Sequence, residues 1–212
     1  MKKLTPELIK KRRAIARDAI AQLKAETFIA TIGTYVTQYA SDGITSPHAY
    51  GDLQKLIKAK VTKAKPCQVC ALGTAFLSAV RLFNSVRIQG GDADAALRQT
   101  LHKFFSLQEL GVIEASFEQS SGHLYRTPKQ YDDYHNRQKT APIMVEWDKL
   151  ETGYRRFLAR LNATQRLVFL MNAVADNAGQ EITLSLLSTY ALLSMADTEL
   201  EGTDYARRIF GW

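Results

Sequence analysis

The chain of 212 residues has little of what would announce a chemistry or a compartment. Its two cysteines, Cys67 and Cys70, are too few for a disulfide framework, so burial of apolar surface must hold the fold and the thiols are expected to stay reduced. Four histidines, His48, His102, His123 and His135, stand singly, without the spacing that puts two zinc ligands on one helix face. No apolar stretch approaches the ~20 residues of a membrane-spanning helix. Met1-Lys2-Lys3 leads into a charged amphipathic segment and not into the short apolar core of a secretory signal, so a cytoplasmic location is expected. There is no glycine-rich phosphate loop, no His-Glu-x-x-His pair, no nucleophile elbow and no spaced pair of carboxylates. No cofactor is expected, and these absences weigh against an enzyme.

Acid is scarce at one end. Residues 1–65 hold 13 lysines and arginines against 5 acids, whereas the remainder holds 15 against 16, so the N-terminal third accounts for all of the net charge of +7. Such asymmetry is a known signature of an anionic partner. In the first helix the spacing of Leu8, Ile15, Ala19 and Leu23 makes a buried stripe, flanked by Ile9, Ala16 and Ile20. Lys3, Lys10, Arg13, Arg17 and Lys24 fall within one arc away from it. A second predicted helix, Tyr50 to Lys63, carries Lys55, Lys58, Lys60 and Lys63 on its exposed side with Lys65 just beyond. The candidate partner-binding residues are therefore Lys10, Arg13, Arg17, Lys24, Lys55, Lys58, Lys60 and Lys63, a surface suited to sequence-independent contact with phosphates or with an acidic protein.

The remaining pattern is mostly helical. Thr5-Pro6-Glu7 supplies an N-cap and a proline at the first helical position. Phe28 to Tyr39, rich in Ile, Thr, Tyr and Val, reads as extended. Cys67 to Asn84 reads as a helix apolar on most of its circumference, hence central and buried, with Cys70, Thr74, Ser78 and Arg81 along one narrow polar line. On that line Arg81 is expected to meet a carboxylate. Asp92 caps a predicted helix to Phe105. Ser106-Leu107-Gln108-Glu109 is a capping box opening a helix through Phe117, and Asn162 with Gln165 caps another, from Ala163 to about Asn177. Gly122 to Arg137 reads as loop. One long amphipathic helix is expected to present Ile143, Trp147, Leu150, Tyr154, Phe157, Leu158 and Leu161, and Ile182 to Met195 reads as a further helix. Together these give a mainly α fold, a single domain over residues 1–212. It is a helical bundle around a buried central helix, with room for a small β-sheet from Thr31–Tyr39, Val86–Ile88 and the region near Ile182.

Cys67-Gln68-Val69-Cys70 admits two chemistries. At a helix N-terminus a thiol pKa is lowered, the electrostatic basis of redox sites, which makes a cysteine-based enzyme or redox sensor the alternative reading. One Cys-x-x-Cys supplies two of four zinc ligands, so a zinc site would need His48 or a second chain, as in a zinc-bridged oligomer. The weightier reading is that both residues are interior packing.

Arg13 to Leu23, Gly33-Thr34-Tyr35, Cys67-Gln68-Val69-Cys70-Ala71-Leu72-Gly73 and Leu107 to Glu114 together resemble a family of small bacterial and phage proteins with a Cys-Ala-Leu-Gly signature. The resemblance implies a phage or prophage setting and a mainly helical fold, and it transfers no catalytic residue. With the charge asymmetry it leads to the expectation of a non-enzymatic interaction protein that binds nucleic acid or an acidic protein through its basic N-terminal surface.

Overall fold

A computed structural model of the chain describes residues 4–33, 36–40, 43–45, 62–63, 66–84, 93–119, 122–124, 143–145 and 152–201. It is mainly α. Helix α1 (Pro6–Lys24) starts as its sequence dictates: Thr5 is extended, its Oγ1 accepts from Leu8 N at 3.2 Å, and Pro6 occupies the first turn where its missing N–H costs nothing. A small mixed sheet follows, made of β1 (Phe28–Ala30), β2 (Val36–Ala40), β3 (Gly43–Thr45) and β4 (Cys67–Val69) in the order β1-β4-β2-β3. Strand β4 runs parallel to β1, with Cys67 opposite Phe28, and antiparallel to β2, with Val69 opposite Val36. Phe28, Val36, Cys67 and Val69 are all buried, so the sheet turns an apolar face to the core.

Helix α2 (Ala71–Phe83) occupies the centre, and every residue from Ala71 to Val80 is buried. Helices α3 (Ala93–Leu101) and α4 (Leu107–Glu118) come next. After them lie a two-stranded ribbon, β5 (Gly122–Leu124) antiparallel to β6 (Ile143–Val145), and then α5 (Thr152–Arg160), α6 (Ala163–Asp176) and α7 (Leu184–Glu201). Helix α1 lies chiefly against α6 and α2. Ile15 and Ala19 of α1, Leu72 and Phe76 of α2, Leu110 and Phe117 of α4 and Leu167 to Leu170 of α6 share one continuous core. Aromatic contacts tie in the later helices: the Phe157 and Phe169 rings meet edge-on with centroids 4.8 Å apart, and Tyr190 approaches Phe169 at 5.5 Å. Among the described residues no helix is long and apolar enough to cross a membrane.

Both expected capping boxes form. Ser106 Oγ accepts from Glu109 N at 3.1 Å while Glu109 Oε2 accepts from Ser106 N at 2.7 Å; Asn162 and Gln165 do the same at 2.9 and 3.0 Å. Several boundaries differ from expectation. The helix expected from Cys67 begins at Ala71, because Cys67–Val69 is claimed on both edges by strands distant in sequence. The extended stretch Phe28 to Tyr39 is broken at Gly33, whose φ of 78° a side chain would strain and whose N–H donates to Glu118 Oε2 at 2.7 Å. The helix expected to reach Phe105 stops at Leu101, after which Phe104 and Phe105 turn into the core. Ile143 belongs to a strand and not to a long helix, and only Tyr154, Phe157 and Leu158 of the expected face are buried in α5. Gly122 opens a strand where a loop was expected. Ile182 precedes α7 and joins no sheet, while Val86–Ile88 and most of the helix expected over Tyr50–Lys63 lie outside the described residues.

Candidate functional site

On the outer face of α1, Lys10, Arg17 and Lys24 are exposed and have no acidic partner within ion-pairing reach among the described residues. They stand seven residues apart. At 1.5 Å per residue and 3.6 residues per turn, neighbours in such a row are about 10.5 Å apart and rotated by only about 20°. The result is a nearly straight line of cations along the helix. Arg13 is also on the exposed side, but its Nε donates to the Ala175 carbonyl at 3.2 Å, so it is tied to the C-terminal turn of α6, where unsatisfied carbonyls favour a cation. Lys63 Nζ lies 2.8 Å from Glu26 Oε2; both side chains are well exposed, and such a pair contributes little to stability. Lys3, Lys55, Lys58, Lys60 and Lys65 lie outside the described residues.

Cys67 and Cys70 are free thiols, 0% and 2% exposed. Burial pushes the Cys67 thiol up to about 11 from an ordinary 9.0. Burial raises Cys70 further, with the Glu118 and Glu114 carboxylates adding to the rise, while the helix N–H of Gly73 opposes it from 3.4 Å. Desolvation therefore outweighs the helix terminus, and both sulfurs are held as thiols at neutral pH, the opposite of an activated nucleophile. Cys70 caps α2 with its sulfur, and Thr74 Oγ1 donates to the Cys70 carbonyl at 2.7 Å. Among the described residues no three His, Cys, Asp or Glu side chains are grouped to hold a metal ion; His48 and His135 lie outside them.

The inner face of α1 carries two charges that composition does not anticipate. Arg12 is fully buried; its Nη2 donates to Glu109 Oε1 and its guanidinium lies 5.0 Å from the Phe105 ring centroid. Glu109 Oε1 also accepts from Ile182 N at 2.9 Å, so one carboxylate joins α1, the cap of α4 and the entry to α7. Asp18, buried as well, pairs with Arg81 of α2, whose Nε donates to Asp18 Oδ2 at 3.1 Å.

No protein-family model matches this chain. No curated protein and no solved structure is significantly similar to it either. The likeness to the Cys-Ala-Leu-Gly family thus stands on its quoted residues alone, and every role must be argued from this chain's own geometry.

Arg12, Asp18 and Arg166 are the positions that sequence reasoning missed; Glu109 is legible in the capping box, but its buried pairing with Arg12 is not. Arg166 is buried and donates to the carbonyls of Phe117 at 2.6 Å, Leu161 at 3.1 Å and Leu158 at 3.4 Å, closing the C-terminal turns of α4 and α5 together. The signal for Arg12 was present: it lies three residues before Ile15 and four before Ala16, on the apolar side of the stripe.

Proposed function

We propose that this protein is a non-enzymatic interaction protein that docks on a polyanion, nucleic acid in the first place, through the outer face of α1. The observation that supports the reading best is the row Lys10, Arg17 and Lys24, exposed and unpaired among the described residues on a helix whose other cations are tied to the protein itself. A rigid helix holding cations at intervals of about 10.5 Å contacts phosphates without reading bases, because phosphate contacts position a protein and carry no sequence information. Lys55, Lys58 and Lys60 extend the same charge excess in sequence. The phage or prophage setting rests on the resemblance alone.

The test is fluorescence anisotropy on a duplex DNA of mixed sequence at stepped salt, comparing the wild type with Lys10→Glu/Arg17→Glu/Lys24→Glu. Neutralising one phosphate fewer reduces the slope of log K against log salt by about 0.9, so the triple variant should show about 3 units less slope and little of the wild-type affinity. Unchanged affinity and slope would remove this reading. Binding of the wild type to polyglutamate but not to DNA would move the partner to the acidic proteins.

A further inference from the structure

Two small residues join Lys10, Arg17 and Lys24 into one stripe. Ala14 is half-buried and Ala21 exposed, and they complete the series Lys10, Ala14, Arg17, Ala21, Lys24 in alternating steps of four and three residues. At 3.6 residues per turn all five lie within an arc of about 80°. Between the cations the helix surface therefore rises no higher than a methyl group. The inner face of α1 is fixed against α6 and α2, with Ile15, Ala16 and Ala19 fully buried, so the helix axis cannot bend to follow a ligand laid along the stripe.

A stripe of this shape discriminates between the two physical forms of a nucleic acid. Proteins that hold single strands track the backbone in a positively charged groove and stack bases on aromatic side chains, each stacked base adding about fivefold or more to affinity. The outer surface of one helix is convex, and α1 has no aromatic residue anywhere from Pro6 to Lys24. A single strand would have to be straightened along the row, losing conformational entropy with no stacking on α1 to offset it. A duplex is stiff beforehand, with a persistence length of about 150 base pairs, and carries one charge per about 1.7 Å of its axis, so a straight row of cations meets it without having to order it. The methyl groups of Ala14 and Ala21 leave nothing between the cations to hold the duplex away. We infer that the partner of α1 is a double-stranded nucleic acid, contacted along its phosphates, and that single strands are discriminated against. The inference rests on the polyanion reading above and narrows it to one form.

Anisotropy titrations of the full-length protein at one fixed salt concentration, with duplex DNA, duplex RNA and oligothymidylate of equal length, test this. The expected result is that at least one duplex binds about tenfold more tightly than the single strand, well above the twofold that its doubled phosphate count supplies; the tighter duplex names the source. Ala21→Trp adds a stacking surface beside Arg17 and Lys24, and should tighten oligothymidylate binding by about fivefold or more while weakening the duplex. Ala21→Leu, bulky but without a π-face, should weaken the duplex alone. Position 21 is exposed, and circular dichroism checks that both variants fold. Oligothymidylate binding the wild type as tightly as either duplex would overturn the inference and leave the polyanion reading standing. An equal change of the two affinities in Ala21→Trp, or no change in either, would also overturn it. Binding of neither form would remove the nucleic-acid reading itself, and this inference with it.

Discussion

Helix α1 presents charged residues on two faces and uses them oppositely. On the inner face Arg12 and Asp18 are buried and each meets a partner from a distant segment, Glu109 and Arg81 respectively. On the outer face Lys10, Arg17 and Lys24 are exposed and meet no acid among the described residues. The buried charges surrender hydration and must recover it from specific partners, so their positions are fixed by the fold and they in turn fix the neighbouring segments. The exposed ones keep their hydration until an external anion replaces it, which makes them the chemically available part of the helix. Residue type alone therefore says little about role; the side of the helix decides.

The sharpest way to break this contrast is Glu109→Ala. It leaves the Arg12 guanidinium buried without any acceptor, opens the capping box of α4 and frees Ile182 N. Removing one partner of a buried pair costs about 3–5 kcal/mol, and urea unfolding should show that destabilisation in the midpoint. A shift under about 1 kcal/mol would mean that the pair is not a structural tie. Asp18→Asn ranks second. Asp18 is buried but the Arg81 side chain is 55% exposed, so water already screens the pair, and the same measurement should give about 1 kcal/mol.

The two cases also show what the sequence made legible. Local signals were reliable: Thr5-Pro6, Ser106 with Glu109 and Asn162 with Gln165 mark helix starts because a cap is settled within four residues. The burial of Ala71 to Val80 followed from an apolar run too wide for a surface helix, and Arg81 met a carboxylate as its position on the polar line implied. What failed was non-local. Cys67–Val69 is a strand because Phe28–Ala30 and Val36–Gln38 lie on either side of it, pairings separated by about thirty to forty residues that no window of local periodicity contains. Ile143 stands in a strand for the same reason, paired with Leu124 across a long intervening segment. For the site, the basic character of α1 was plain, but a rule that places charges outside cannot distinguish Arg12 from Arg13, adjacent residues one of which is fully buried and the other exposed.

The smallest expected effect is the most discriminating for the outer face. Lys10→Gln/Arg17→Gln/Lys24→Gln removes three charges yet should leave the urea midpoint unchanged, since these side chains pair with no acid among the described residues. Relief of repulsion should not raise stability either: neighbours in the row are about 10.5 Å apart, beyond the Debye length of about 8 Å at physiological salt, so they scarcely feel one another. At about 0.01 M salt the Debye length grows to about 30 Å, and the triple variant should then become slightly more stable than the wild type. This crossover with salt has the opposite sign to the removal of a structural ion pair, whose cost would be largest at low salt. A destabilisation as large as that of Asp18→Asn would show that the outer cations also hold the fold together, and the division of labour between the two faces of α1 would fall with it.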